Sequence, residues 1–388
     1  MNAAKLRRIV FGTIVALFAL WALLLTFVPQ ARQDTLFVFD GRTPMLDFNF
    51  LVRPLSVPNF YSGEDMPPVY DAPHVVLARP DICNPPLPMF YAAAFGENFS
   101  GGCLFTAVNA ILYLLSCALF LGTRAGGKRG AAAAVLALSG PFLMCANVGN
   151  ATFAAAAGAM AFLAWYDSGI PLRRTLAALA LALAFAFKLS PAVLGMLYLT
   201  GDRRRNLPFA VLAAILGLVF LVVPFAFCGG LESLALWREN AILNASTHAW
   251  RNLFGVNGVL FGVCQLAGSW QPYVRFHVLS RNLSAAFAVF MLVACFPSKR
   301  DAGVRMTLAA AAMLLLPPTM MYYTLLYFLP VALLGLWHVN PRVRIVSAVA
   351  FVVTASPLRI CWGSGCISVP AMAVGLLLPC LLPAFDRD

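Results

Sequence analysis

Negative charge is the scarcest feature of this sequence: 15 of its 388 residues are Asp or Glu. Charged residues of both signs make up 11% of the chain, where an ordinary soluble domain carries roughly 25%. That deficit excludes a soluble globular fold. Histidine is scarce too, with His74, His248, His277 and His338 scattered and showing neither HExxH nor HxH spacing, so no metal site is expected. The ten cysteines include no CxxC pair. There is no Walker loop and no GxGxxG after a strand, which excludes a nucleotide-driven pump or a Rossmann-type nucleotide-sugar enzyme. No internal repeat stands out, which weighs against the inverted-repeat transporter folds.

What the chain has in abundance is apolar length. Hydrophobic residues make up 61% of it, in runs of about 13 to 22 broken by basic or Gly/Pro-rich turns, lengths at which a helix crosses lipid with its backbone satisfied. The expected fold is an all-α polytopic membrane protein, one transmembrane domain over residues 1–388. Hydropathy places about twelve spans, near 9–28, 103–122, 131–147, 151–166, 174–187, 189–200, 207–227, 283–297, 304–317, 319–337, 344–357 and 368–385. The first follows KLRR as a signal peptide would, but is long and lacks a small-x-small cleavage site, so it reads as retained. The spans near 174–187 and 189–200 are too short to cross singly and suggest a hairpin with Lys188 and Pro191 at its tip.

The formal charge of +12 has a topological explanation. With Met1 to Arg8 inside, the turns GTRAGGKRG, PLRR, GDRRRN, SKRDAGVR, NPRVR and DRD fall on that side, and 17 of 27 basic residues lie there, as the positive-inside rule requires. Both termini are then cytoplasmic. No basic stripe is interleaved with aromatics, so nucleic acid is not an expected partner. Two outer segments are long. Residues 30–102 hold 8 of the 15 acids, and residues 229–282 have the amphipathic spacing of interfacial helices, with Trp237, Trp250 and Phe254. Long loops without a core of their own are usually functional. Outer cysteine pairs Cys83 with Cys103, Cys228 with Cys264 and Cys361 with Cys366 are disulfide candidates, the last the strongest because it is local.

Ionisable groups near lipid are costly and therefore informative. Lys188 is the only charge inside a long apolar run, in LALAFAFKLSPAVLG; it either snorkels from a helix end or meets a phosphate. Asp47, in LDFNFL, is surrounded by Leu and Phe that would press it to the membrane face and exclude water, a setting suited to a general base. Asp40 in FVFDGR is the alternative base. Arg53, Arg79, Arg251 and Arg359 are candidate phosphate clamps on the outer side. Glu64, Asp65 and Asp71 could hold a divalent cation, but solvated loop acids are the simpler reading, and no cofactor is indicated.

Several phrases then align in order. LDFNFLVRP, PPVYD, NPPLPMFYAAAF, NVGNATFAAAAGAMAFLAW and LALALAFAFKLSPAVLGMLYLTGDRRR together resemble the bacterial polyprenol-phosphate-mannose-dependent mannosyltransferases that extend lipid-linked glycans, membrane enzymes of the GT-C class. The resemblance runs from about Asp47 to Arg205. It implies a GT-C-like bundle of about 12 transmembrane helices with outer-side interfacial helices, in the cytoplasmic membrane of a bacterium and with its active site facing outward. It makes Asp47 the catalytic base, Asn84, Pro85 and Pro86 a turn shaping the cavity, Asn147 and Asn150 a polar turn at the cavity floor, and Lys188 the lysine near the donor phosphate. Where the family has a late His-Tyr, this chain has Tyr322 and Tyr323 in PPTMMYYTLLYFLP, and Tyr323 is the candidate there. The implied partners are a polyprenyl-phosphate sugar donor, mannose favoured, a lipid-linked glycan acceptor and membrane lipids. A polytopic transporter or flippase is the rival reading; it requires polar groups spread through the middle of several helices, whereas here they gather at outer ends.

Overall fold

The computed structural model describes residues 45–57, 60–63, 68–69, 72–76, 82–125, 129–200, 202–247, 271–296, 301–317, 320–338, 341–356, 361–362 and 365–366, with isolated positions at 12, 16 and between 256 and 269. The expected spans near 9–28 and 368–385 lie outside the residues described.

Among the described residues, three helices are long and apolar enough to cross a membrane: α3 (Phe99–Ala125), α8 (Arg203–Val222, continued by a 3-10 turn to Phe227) and α10 (Gln271–Ala294). At 1.5 Å per residue each reaches or approaches the roughly 30 Å of a hydrocarbon core. Their lipid-compatible faces are plain on α8, where Val211, Ile215, Leu218 and Val222 are exposed at helical spacing. With its shorter apolar helices packed on these, the chain is an all-α membrane protein.

The core is built where small residues let helices approach. Helix α6 (Thr152–Trp165) runs TFAAAAGAMAFLAW and is buried almost throughout. It packs between α3 and α7 (Pro171–Phe187). A Cβ on Gly158 would lie 2.7 Å from the Ala180 carbonyl oxygen, so only glycine admits α7 at that distance. In lipid, helix association rests on such close packing because tails are as apolar as leucine. Helix α11 (Ala302–Leu315) repeats the device with buried Ala309 to Ala312.

Several expected spans are interrupted, each by identifiable chemistry. The stretch 131–147 forms α4 (Arg129–Ala137) and α5 (Gly140–Val148), because Ser139 accepts the Phe142 N–H and Pro141 opens a new helix. Residues 189–200 form a 3-10 helix, Ser190–Leu199, preceded by an extended Lys188 (φ −148°, ψ 128°). Pro191 explains the break, since it has no N–H for the Phe187 carbonyl. The expected hairpin is present: Tyr198 donates to the Arg174 carbonyl (3.4 Å), and Gly195 lies against Leu181. The stretch 319–337 opens with a 3-10 helix, Tyr322–Tyr327, before α12 (Leu329–His338); α13 (Pro341–Ala355) follows. Helix α10 begins at Gln271, inside the stretch read as the second outer segment, whose earlier part forms α9 (Gly230–Thr247).

Beside these helices stand α1 (Leu46–Val52), α2 (Pro86–Ala93) and two small antiparallel hairpins, β1 (Pro68–Val69) with β2 (Ala72–Val76) and β3 (Cys361–Trp362) with β4 (Gly365–Cys366). Cys103, Cys228 and Cys264 are free thiols, so neither of the two longer-range disulfide pairs forms. Cys361 and Cys366 stand opposite each other in the β3–β4 register.

Candidate active site

Helix α1 carries Asp47 and is fixed from both ends and below. Met45, left-handed at φ 59°, donates its N–H to the Asn147 carbonyl (2.8 Å), and Asn49 returns its side-chain amide to the Met45 carbonyl (3.0 Å). Phe48 is 1% exposed and packs on Phe105 of α3, ring centroids 5.4 Å apart. Sequence had this phenylalanine skimming the membrane face; it is a core anchor instead. The other face of α1, Asp47, Phe50 and Leu51, lines a cavity of about 630 Å³, at the i, i+3, i+4 spacing that puts them on one side.

The turn NVGN between α5 and α6 supplies the partner. Gly149 ends α5 in the left-handed region (φ 68°), returning its N–H to the Cys145 carbonyl (3.1 Å). A Cβ there would sit 2.9 Å from both Met45 Sδ and Phe48 Cβ. Asn150, 5% exposed, then opens α6: its Oδ1 accepts from the Thr152 N–H (2.8 Å) and hydroxyl (2.6 Å). Both bonds use the oxygen, so the amide nitrogen faces away, and it donates to Asp47 Oδ2 at 2.6 Å. Residues 103 positions apart are thereby locked together. The Tyr323 phenol lies beside the Asp47 carboxylate.

Lys188 lines the same cavity, placed there by its own extended backbone at the end of α7. Asp47 and Lys188 are the one acid and the one base among the described lining side chains. Asn84 lines it as well, on a strap braced from behind. Tyr61, fully buried, donates to the Asn84 carbonyl (2.8 Å), and burial holds its phenol well above the ordinary tyrosine pKa, as a neutral donor. Asn240 of α9 donates to the Tyr61 carbonyl (2.9 Å) and more distantly to Ile82 (3.3 Å), and Trp237 donates its indole N–H to the Cys83 carbonyl (2.9 Å). Helix α9 is thus pinned over the strap, and its Trp237, Ala241, Asn244 and Ala245 form one wall.

Of the residues expected from sequence, Asp47, Asn84, Asn150, Lys188 and Tyr323 converge on this cavity. Asn147 does not line it; its contribution is the carbonyl that anchors Met45. Arg53 sits half-buried in the 3-10 turn after α1 and is not among the lining residues. Asp40, Arg79, Arg251 and Arg359, and the acids Glu64, Asp65 and Asp71, lie outside the described residues. Tyr322, the neighbour of Tyr323, is structural: its hydroxyl donates to the Thr354 carbonyl (3.1 Å) and to that of Ser356. Sequence reasoning missed Thr152, Ser190, Asn244, Thr324 and Tyr327, all on the wall. For Thr152 the signal was present, since Gly-Asn-x-Thr between two helices is capping chemistry.

The walls between these polar groups are apolar, with Phe50, Phe187, Val193, Leu316 and Met320 among them, so the described residues of the cavity offer one carboxylate, one ammonium and several hydroxyls and amides inside a hydrophobic surround. An amphiphile with a singly charged head matches that arrangement. The chain matches no curated protein and no solved structure. The family model of glycosyltransferase family 87 matches residues 85–318, which hold Lys188, Asn150 and the α9 wall, and this decides between a transferase and the rival transporter. The chain belongs to glycosyltransferase family 87 and is a membrane glycosyltransferase.

Proposed function

We propose that the protein transfers a hexose or pentose, mannose favoured, from a polyprenyl-phosphate sugar to a lipid-linked or cell-envelope glycan acceptor, with inversion at the anomeric carbon, on the outer face of the cytoplasmic membrane of a bacterium. The observation that carries this reading is the pairing of one acid, Asp47, with one base, Lys188, among the described residues of a largely apolar cavity. A polyprenyl-phosphate sugar is a phosphodiester with a single negative charge, which one lysine balances. A nucleotide sugar carries a diphosphate and would call for more positive charge.

Asp47 removes the proton from an acceptor hydroxyl as that oxygen attacks the anomeric carbon. The bond from that carbon to the phosphate oxygen breaks, and the electron pair leaves with the polyprenyl phosphate. Lys188 balances the charge growing on the departing phosphate. Asn150 and Tyr323 hold the Asp47 carboxylate so that a lone pair faces the acceptor, and the apolar walls exclude water that would otherwise compete as nucleophile. The basic turns support cytoplasmic termini and an outward cavity, the side on which lipid-linked donors are presented after flipping.

The test is Asp47→Asn in the full chain, reconstituted with a polyprenyl-phosphate mannose and a bacterial lipid extract, transfer being followed by mass spectrometry. The expected loss is about 10²- to 10⁴-fold, the range for removal of a general base, with thermal stability retained. Undiminished transfer by the variant, or transfer by the wild type from a nucleotide sugar in the absence of any polyprenyl phosphate, overturns the reading.

A further inference from the structure

We propose that the start of the 3-10 helix Ser190–Leu199, together with the hydroxyls of Ser190 and Tyr327, forms an oxyanion seat that takes the phosphate oxygens of the lipid donor beside Lys188. The proposal rests on the donor reading given above and adds residues it does not use.

Tyr327 is 1% exposed, and its hydroxyl has no hydrogen-bond partner. Buried polar groups are nearly always paired, so an orphan of this kind calls for an explanation. Its surroundings supply one: Tyr327 lines the cavity that holds Asp47 and Lys188, and it faces Ser190 without reaching hydrogen-bond geometry. The Tyr327 hydroxyl is closed off from the cavity itself, so a group that parts the two side chains on entering would satisfy both hydroxyls.

The backbone points to the charge of that group. Lys188 is extended, Leu189 precedes the helix, and Ser190 and Pro191 open it. Opening N–H groups of a helix have no intrahelical partner and present positive potential. All of Lys188, Leu189 and Ser190 line the cavity. One ammonium, a helix start and two hydroxyls are a set rich in donors, which suits phosphate oxygens better than the mixed donors and acceptors of a sugar. Pro191 is what brings the set together, because it ends α7 at the position where Lys188 must turn into the cavity.

The test uses the full chain in nanodiscs with farnesyl phosphate, which has a phosphate but no sugar, and farnesol, which has neither. Tyr327→Phe should weaken farnesyl phosphate about ten- to hundredfold, the worth of a hydrogen bond to a charged group; Ser190→Ala should weaken it less. Farnesol binding should be unchanged in both. Thermal stability of Tyr327→Phe should stay level or rise, since the removed hydroxyl has no partner in the free protein. Unchanged farnesyl phosphate affinity in both variants, alongside a loss in Lys188→Ala, overturns the seat while sparing the donor reading. Weakening confined to a sugar-bearing donor also overturns it, by placing the hydroxyls on the sugar. Variant-dependent farnesyl phosphate binding without any transfer from polyprenyl-phosphate sugars supports the seat and overturns the donor reading instead.

Discussion

Asn150 is the residue on which the geometry of the base depends, and Asn150→Ala measures that dependence. The substitution removes the 2.6 Å bond from the amide to Asp47 Oδ2 and the two bonds that Oδ1 accepts from Thr152. A hydrogen bond to a charged group is worth about 1.5–3 kcal/mol. If that energy is spent holding the carboxylate in its reactive orientation, kcat falls about 10- to 100-fold, at about 1.4 kcal/mol per decade. Losing the bond from the Thr152 N–H at the start of α6 costs about 1 kcal/mol of stability besides. The assay is steady-state transfer from a polyprenyl-phosphate sugar, with thermal midpoints measured in parallel. The drop should fall on kcat, with the donor KM near its wild-type value, because Lys188 is untouched. The Asp47→Asn, Asn150→Ala double variant should be no slower than Asp47→Asn alone, since a group that acts through Asp47 has nothing left to orient. A kcat within twofold of wild type in Asn150→Ala, or additive losses in the double variant, would refute the positioning argument.

Gly149→Ala should be damaging out of proportion to its size. The new Cβ would meet Met45 Sδ and Phe48 Cβ at 2.9 Å, at a residue with φ 68°, so both left-handed strain of about 1–2 kcal/mol and displacement of α1 are expected; a normal thermal midpoint with normal transfer would contradict this. Tyr61→Phe should lower stability by about 1 kcal/mol through loss of the bond to the Asn84 carbonyl, seen as a reduced thermal midpoint, with the acceptor and donor KM values rising together if the strap loosens.

The parts of this protein that sequence determined are those governed by local rules. Composition alone required a membrane protein, because a chain with 61% hydrophobic residues has nowhere else to bury them. The small-residue run of α6 and the α7 hairpin turning at Lys188 and Pro191 were legible, since apolar run length and a missing proline N–H act within a few residues, while the Gly-Asn turn before α6 was implied by the family resemblance. The candidate site was half legible: Asp47, Asn84, Asn150, Lys188 and Tyr323 were named, but Asn147 and Arg53 were named beside them with no means of telling lining from support.

Only the tertiary structure could make that distinction. Whether Asn147 or Asn150 reaches Asp47 depends on which way the turn faces once α5 and α6 have packed, and that is set by contacts with Met45 and Phe48 from a helix about one hundred residues earlier. The choice between Tyr322 and Tyr323 is of the same kind, since one finds the carbonyls of α13 and its neighbour finds Asp47. Tyr327 could not have been singled out at all. An unpartnered hydroxyl becomes conspicuous only when everything around it has been placed, because hydrogen-bond satisfaction is a property of the packed interior and not of any stretch of chain.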